Sequence, residues 1–186
     1  MTLLASLRPA VVLFAGCLIA LGLLYPLAVT LIAGAAFPAQ AHGSLMYGPD
    51  GSVEGSSLIA MNVTDPKYFH FRPSAVDYNA AGSGGSNLGP TNPLLRERVN
   101  ASVSALRSAG VTGSIPAELA MASASGLDPH ISVEAAMVQA PLVAAARNRS
   151  AEEVRALVLA SRIADPTPFH PEYVNVNALN RALDAA

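Results

Sequence analysis

The hydrophobic pattern of this chain divides it in two. From Ala10 to Phe37 there is no Asp, Glu, Lys or Arg. A charge at mid-bilayer costs at least about 2.5 kcal/mol, so a run this long without one predicts a membrane-spanning helix. At a rise of about 1.5 Å per residue the helix would be roughly 40 Å long, against a hydrocarbon core about 30 Å thick, so it can span with tilt. Pro26 lacks an N–H and predicts a mild kink within it. Residues 1–9 are then a short N-terminal segment, 10–37 a transmembrane helix and 38–186 a soluble domain. A cleaved signal peptide is the alternative, because Ala39-Gln40-Ala41 fits a small-x-small cleavage pattern. A signal core is only about 7–15 residues long, so an uncleaved anchor is the better reading.

After Pro38 the pattern shortens. Leu45-Met46-Tyr47, the turn residues Gly48-Pro49-Asp50-Gly51 and then Ser52-Val53 predict a hairpin. Ser57 to Val63 is a candidate further strand. A loop rich in Pro, Asn, Gly and Ser follows from Asp65 to Pro93, carrying the aromatic cluster Tyr68-Phe69-His70-Phe71-Arg72. This cluster reads as a satellite core under the loop, although Arg72 could also stack on a ring. Asn92 and Pro93 form a helix start, and Leu94, Leu95, Val99, Val103 and Leu106 recur at helical spacing until Gly110 stops the helix. A buried face is expected there.

Ile115 to Leu119 predicts a short helix. Ser132 is placed to cap another, with Val133, Ala136, Met137 and Ala140 inward and a bend at Pro141. Ser150 and Glu153 form a capping box for a helix that turns Val154, Leu157 and Val158 inward. Asp165 to Pro171 reads as a stiff loop, Tyr173 to Val176 as a strand, and Asn177 to Ala185 as a closing helix built on Leu179 and Leu183. Together these elements predict a small α+β domain with mixed α/β content behind one transmembrane helix.

Charge and cysteine usage narrow the function. Net charge is −2 and the basic residues are scattered, so nothing points to nucleic acid. The single cysteine, Cys17, lies in the apolar run, which excludes a disulfide or a cysteine-based metal site in the domain. Arg8 and the terminal amine precede the span, and no Lys or Arg follows it before Lys67. By the positive-inside rule the N-terminus is cytoplasmic and the domain lies outside, periplasmic or extracellular, on a single-pass protein of the plasma (inner) membrane.

Two stretches carry candidate chemistry. Ser83, Gly84, Gly85, Ser86 and Asn87 begin a glycine-rich loop ahead of a helix, a setting in which free N–H groups can bind an anion. The Walker and dinucleotide-binding glycine patterns are absent from it, and a loop needing positive φ and close packing is the plainer reading. Ser125, Asp128 and His130 lie within a few residues of one another and invite a hydrolase reading. A nucleophile elbow would read GxSxG, however, and neither Ser123 nor Ser125 fits it. Capping and turn hydrogen bonds are the expected roles of Asp128 and Ser132.

Whole strings go further than the physics. Tyr68-Phe69 with Arg72-Pro73-Ser74-Ala75, SGGSNLGPTNP at Ser83–Pro93, ASASGLDPHIS at Ala122–Ser132 and Val174-Asn175-Val176 with Leu179-Asn180 and Leu183-Asp184 resemble the KdpC family. This is the C subunit of the high-affinity potassium-transporting P-type ATPase of bacteria and archaea. The resemblance covers nearly the whole chain. It departs at Ala60-Met61, where the family usually has Gly-Gln, at Val133, where it has proline, and near Ala178, where an acidic residue is common.

The resemblance implies a non-catalytic accessory subunit that works with the channel-like K+-binding subunit KdpA, the P-type ATPase subunit KdpB and the small single-span KdpF, in contact with membrane lipid. It also implies a chaperone role that raises the ATP affinity of the ATPase subunit, with Ser83 to Asn87, Asp128 and His130 as nucleotide or partner contacts and no tightly bound cofactor or metal. The Ser83–Ser86 stretch resembles part of the signature that contacts ATP in ABC transporters. An outside domain could not reach cytoplasmic ATP, so sidedness and direct nucleotide contact are opposed expectations.

Overall fold

The computed structural model describes residues 3–164 and 171–186, with side chains from Ser6 onward. Most of the loop expected at Asp165–Pro171 lies outside the described residues. The chain forms two compact units that meet between Leu45 and Met46.

The first unit is helical: α1 (Leu3–Ile19), a five-residue π-helical segment (Ala20–Leu24), α2 (Tyr25–Ala36) and a single turn, α3 (Pro38–Ala41). Residues Ser6–Ala36 make one helix, 31 residues long and apolar enough to cross a membrane. It begins well before Ala10 and takes in Arg8 and Pro9. The uncharged run marks where lipid can lie, whereas helical hydrogen bonding continues through Leu3–Leu7, all ordinary helix formers. The π-helical segment ends just before Tyr25-Pro26. A proline ring collides with the carbonyl four residues back, here Gly22, and a widened turn takes up that clash, so the expected disturbance is a local change of winding. Leu13, Phe14, Leu21, Leu31 and Ile32 are all exposed, as lipid-facing side chains would be.

From the last residue of the first unit onward, β1 (Leu45–Tyr47) and β2 (Val53–Ser56) form the expected hairpin. Its turn is closed by Gly48 N–H to Ser52 O (2.9 Å) and Gly51 N–H to Gly48 O (3.0 Å). Ser57 to Val63 is not a strand. Ser56 Oγ accepts from Leu58 N–H and turns the chain. Side-chain amides then take the carbonyls that a neighbouring strand would have used: Asn175 Nδ2 donates to Ser57 O, and Asn177 Nδ2 to Ser56 O and Ile59 O.

The helix α4 (Pro93–Ser108) starts where expected, with Asn92 Oδ1 accepting from Leu94 N–H at 3.0 Å. It ends at Gly110, whose φ of +101° closes the last turn. Its expected buried face is only half covered: none of its residues is buried. A short α5 (Ala117–Ala120) follows Pro116.

The core lies further along the chain. The strands β3 (His130–Ser132) and β4 (Tyr173–Asn175) pair antiparallel, with His130 opposite Asn175, Ile131 opposite Val174 and Ser132 opposite Tyr173. Each runs directly into a helix, α6 (Val133–Ala146) and α8 (Val176–Ala185), and α7 (Ala151–Ala160) packs between them. Side-chain caps fix all three starts: Ser132 Oγ accepts from Ala135 N–H, Ser150 Oγ from Glu153 N–H and Asn175 Oδ1 from Ala178 N–H. The helix α6 runs on through Pro141. Ile131, Val143, Val154, Val158, Val174, Leu179 and Leu183 are fully buried together.

Phe69 and Phe71 belong to this same core, with Phe69 at 0% exposure, so the aromatic cluster is no satellite. Two amides hold its backbone in place. Asn180 Oδ1 accepts from Phe69 N–H (2.8 Å) and its Nδ2 donates to Phe69 O (3.0 Å), while Gln139 does the same for His70 (2.8 and 3.1 Å). A non-strand segment can run through a core only if its polar groups are satisfied, and these amides do so.

Candidate functional site

The two glycine-bearing strings, Ser83–Pro93 and Ala122–Ser132, meet in space although some forty residues separate them. Gly84 N–H donates to Ser125 O at 2.8 Å, and Ser83 Oγ donates to the same carbonyl at 3.0 Å. At Gly85 a Cβ would come within 2.8 Å of Ala124 O, a backbone atom that cannot swing aside. At Gly126, φ is +68°, and a Cβ would meet Val76 Cγ2 at 2.6 Å and Gly84 O at 2.7 Å. These two glycines permit backbone to pack on backbone, the plainer of the two roles open to the loop. Asn87 sits at φ +51°, in the left-handed region that asparagine tolerates.

Ser74 is the hub of this joint. Its hydroxyl donates to Gly126 O (2.6 Å) and accepts from Val76 N–H (3.2 Å) and Tyr78 N–H (3.0 Å). Tyr78 OH donates to Arg72 O at 3.0 Å. Burial, and then the Asp77 carboxylate, push the Tyr78 phenol above the usual tyrosine range. A groove of about 430 Å³ opens beside the joint, between the 73–77 loop, Ser86, residues 120–122 and one side of α4, with Arg98 and Asp77 at its walls.

Asp128 and His130 lie in a smaller cleft of about 160 Å³ with Arg72, Glu118, Ser132 and Tyr173. Asp128 does what its position before Pro129 suggests: Oδ1 accepts from His130 N–H at 3.0 Å. The same oxygen is 3.2 Å from His130 Nδ1, and Oδ2 is 3.5 Å from Arg72 Nη1. The His130 ring stands edge-on to Tyr173, with centroids 5.1 Å apart. Arg72 thus meets a carboxylate instead of stacking on a ring, whereas the Arg147 guanidinium lies over a ring, 4.8 Å from the centre of Tyr68. Ser132 donates its hydroxyl to Glu118 Oε1, which also accepts from Ser132 N–H. Ser125 Oγ accepts from Leu127 N–H at 3.1 Å, a turn contact within its own loop.

The cleft and the joint are continuous along the 122–132 string. They bring together Ser83, Gly84 and Gly85 with Ser125 and Gly126, and separately Asp128 with His130 and Arg72. Sequence reading missed Ser74, Tyr78 and Glu118, which tie the two strings to their surroundings. A hydroxyl before a turn and an acid in a four-residue helix are too common to signal such roles. The signal for Gln139 and Asn180 was present, as amides interrupting otherwise apolar helix faces. Among the described residues, no three His, Cys, Asp or Glu side chains gather as a metal site.

A sequence model of the family described as "KdpC: K+-transporting ATPase, c chain" matches residues 7–185. The chain belongs to the KdpC family. A potassium-transporting ATPase KdpC subunit of Methanosphaerula palustris is 72% identical over 184 residues, covering 99% of this chain and 99% of that one. KdpC subunits of Rhodopseudomonas palustris (46% identical, covering 99% of this chain and 100% of the relative) and Geobacter sulfurreducens (50%, covering 96% and 97%) match over the same extent. For a KdpC-family chain, the apolar N-terminal helix is consistent with anchoring to the membrane in which a K+-transporting ATPase works.

Proposed function

We propose that this chain is the non-catalytic accessory subunit of an ATP-driven K+ uptake complex, assembling beside a channel-like K+-binding subunit, a P-type ATPase subunit and a small single-span partner. The observation that carries the reading is the family match over residues 7–185, which takes in the N-terminal helix and the domain together. The helix docks the subunit in the membrane. Arg8 ahead of the span supports a cytoplasmic N-terminus and a domain on the outer face, where it braces the assembly near the ion entrance.

Any effect on the ATP affinity of the ATPase subunit is, in this reading, indirect. Ser83 Oγ and Gly84 N–H are both directed at Ser125 O, and Gly85 is pressed onto Ala124 O, so these donors serve the joint. Asp128 is likewise engaged by His130 and Arg72.

Sidedness and assembly are the tests. A cysteine at Asn100, exposed on α4, in a Cys17→Ser background should react with a membrane-impermeant maleimide added to intact cells. Protection in intact cells with labelling after lysis would overturn the outside placement. Co-purification of the transport subunits should weaken when the chain is withheld, and purified chain should show no ATP binding by calorimetry. Saturable ATP binding lost on Ser83→Ala would restore the direct nucleotide reading.

A further inference from the structure

The hairpin β1–β2 has two unlike faces. Met46 is 6% exposed and, with Glu54, lines a cleft of about 240 Å³ against Asn177 and Asn180. Leu45, Tyr47 and Val53 are 41%, 52% and 57% exposed. On β1, Leu45 and Tyr47 flank the buried Met46, and with Val53 on β2 they put three large exposed apolar side chains on one short hairpin, a denser cluster than the scattered apolar exposure normal on any surface.

Two observations indicate what covers it. The first is chain reach. Leu45 is the ninth residue after Ala36, the end of the membrane-crossing helix, and four of the intervening residues (Pro38–Ala41) are wound into a helical turn. Such a linker spans at most about 25 Å. The helix of 31 residues is about 46 Å long and accounts for the full bilayer, headgroups included, so its end lies in the headgroup zone. The linker therefore lets the hairpin reach the lipid surface.

The second observation is chemistry. Tyrosine with aliphatic neighbours is the composition of the membrane–water interface, where the ring sits among headgroups and the hydroxyl stays wet. Arg181 Nη2 donates to Tyr47 O at 2.7 Å, which places a guanidinium beside this strand where a lipid phosphate could meet it. Of the nearby acids, Glu54 lines the cleft, and Asp50 accepts from Ser52 N–H and Oγ within the turn.

We propose that the β1–β2 hairpin lies on the bilayer surface, with Leu45, Tyr47 and Val53 in the headgroup zone of the leaflet from which the domain emerges. It would fix the height and rotation of the domain over the membrane, a constraint that a flexible linker alone does not supply. The inference rests on the anchor reading of the N-terminal helix.

Spin-label accessibility tests both readings separately. Full-length chain is placed in nanodiscs of phosphatidylcholine and phosphatidylglycerol. A label on the native Cys17 reports the span. Labels at Tyr47→Cys and Val53→Cys in a Cys17→Ser background report the hairpin, and one at Leu159→Cys, an exposed position on α7, reports the free surface. The ratio of oxygen to nickel-chelate collision should be severalfold higher at 47 and 53 than at 159, and higher again at 17. Ratios at 47 and 53 equal to that at 159, with a lipid-like value at 17, would overturn the hairpin proposal and leave the anchor standing. Labels at 47 and 53 shielded from both reagents would assign the face to a protein neighbour and also overturn it. A water-like value at 17 would remove the anchor and the proposal together.

Discussion

The helices α4 and α6 are 16 and 14 residues long, each begins at a side-chain cap, and each presents apolar residues at helical spacing. Yet α6 buries six residues and α4 none. The difference lies in what faces them. The inward residues of α6 are mostly alanine (Ala135, Ala136, Ala140, Ala144), and small side chains let β3 and α7 approach its backbone closely. The helix α4 turns Leu95 and Val99 toward a groove of about 430 Å³ and only Leu106 onto the edge of the core, and these side chains, like Val103, remain half-buried. Periodicity identifies the face a helix would bury. It does not tell whether the same chain supplies the opposite wall.

The largest expected effect falls on the packed side of that contrast. Phe69→Ala removes a fully buried ring at the centre of the core and should cost about 3–5 kcal/mol. Reversible urea unfolding of the full chain in detergent micelles, followed by circular dichroism, would measure it. A loss below about 1 kcal/mol would mean that the aromatic cluster is peripheral after all and that the core ends at the helices.

A smaller effect is expected at the joint between the two strings. Gly85→Ala drives a methyl onto Ala124 O, and the displacement should cost about 1–3 kcal/mol. The loss should be the same with and without ATP. A variant of unchanged stability that nevertheless impaired the assembled transporter would show instead that the loop faces a ligand or partner.

Alkaline unfolding adds a third measure. Burial holds Tyr78 above the usual tyrosine range, so the folded chain keeps this proton more tightly than the unfolded one does. The resulting stability is complete below about pH 10 and is lost as pH rises through the folded-state value. Tyr68 contributes with the same sign, its pKa raised by burial and then by the Asp184 carboxylate that accepts its hydroxyl. Tyr78→Phe should reduce the fall in stability above about pH 10 without abolishing it, and cost about 1 kcal/mol at neutral pH for the bond lost to Arg72 O. An alkaline slope unchanged by the substitution would place Tyr78 in solvent.

What could be read from the sequence was local. The caps at Asn92, Ser132 and Ser150 and the Gly48–Gly51 turn depend on neighbours within four residues, and each is found where its side chain predicts. Residues 57–63 do not form the expected strand because the Ser57 and Ile59 carbonyls bond to Asn175 and Asn177, more than a hundred positions away. The aromatic segment entered the main core for a similar reason: Asn180 and Gln139 satisfy its backbone from distant helices. The same holds for the candidate site. Both strings stood out by composition, and Asp128 was legible as a turn cap. The contact of Gly84 with Ser125, and the Ser74 hydroxyl that binds the arrangement, exist only after folding.

The smallest expected effect probes the loose side of the comparison. Val99→Ala on α4 and Val154→Ala on α7 remove the same two methyl groups, at a half-buried and a fully buried site respectively. In the isolated chain, Val154→Ala should cost about 2 kcal/mol, and Val99→Ala well under about 1 kcal/mol because water already reaches that face. Equal costs at the two positions would mean that α4 is packed as tightly as the core, and the contrast between the helices would fail. A small cost in the isolated chain that grows within the assembled complex would instead give the groove beside α4 a covering wall from outside this chain. The same pair of substitutions thus measures how much of the domain is stable alone and how much its surroundings complete.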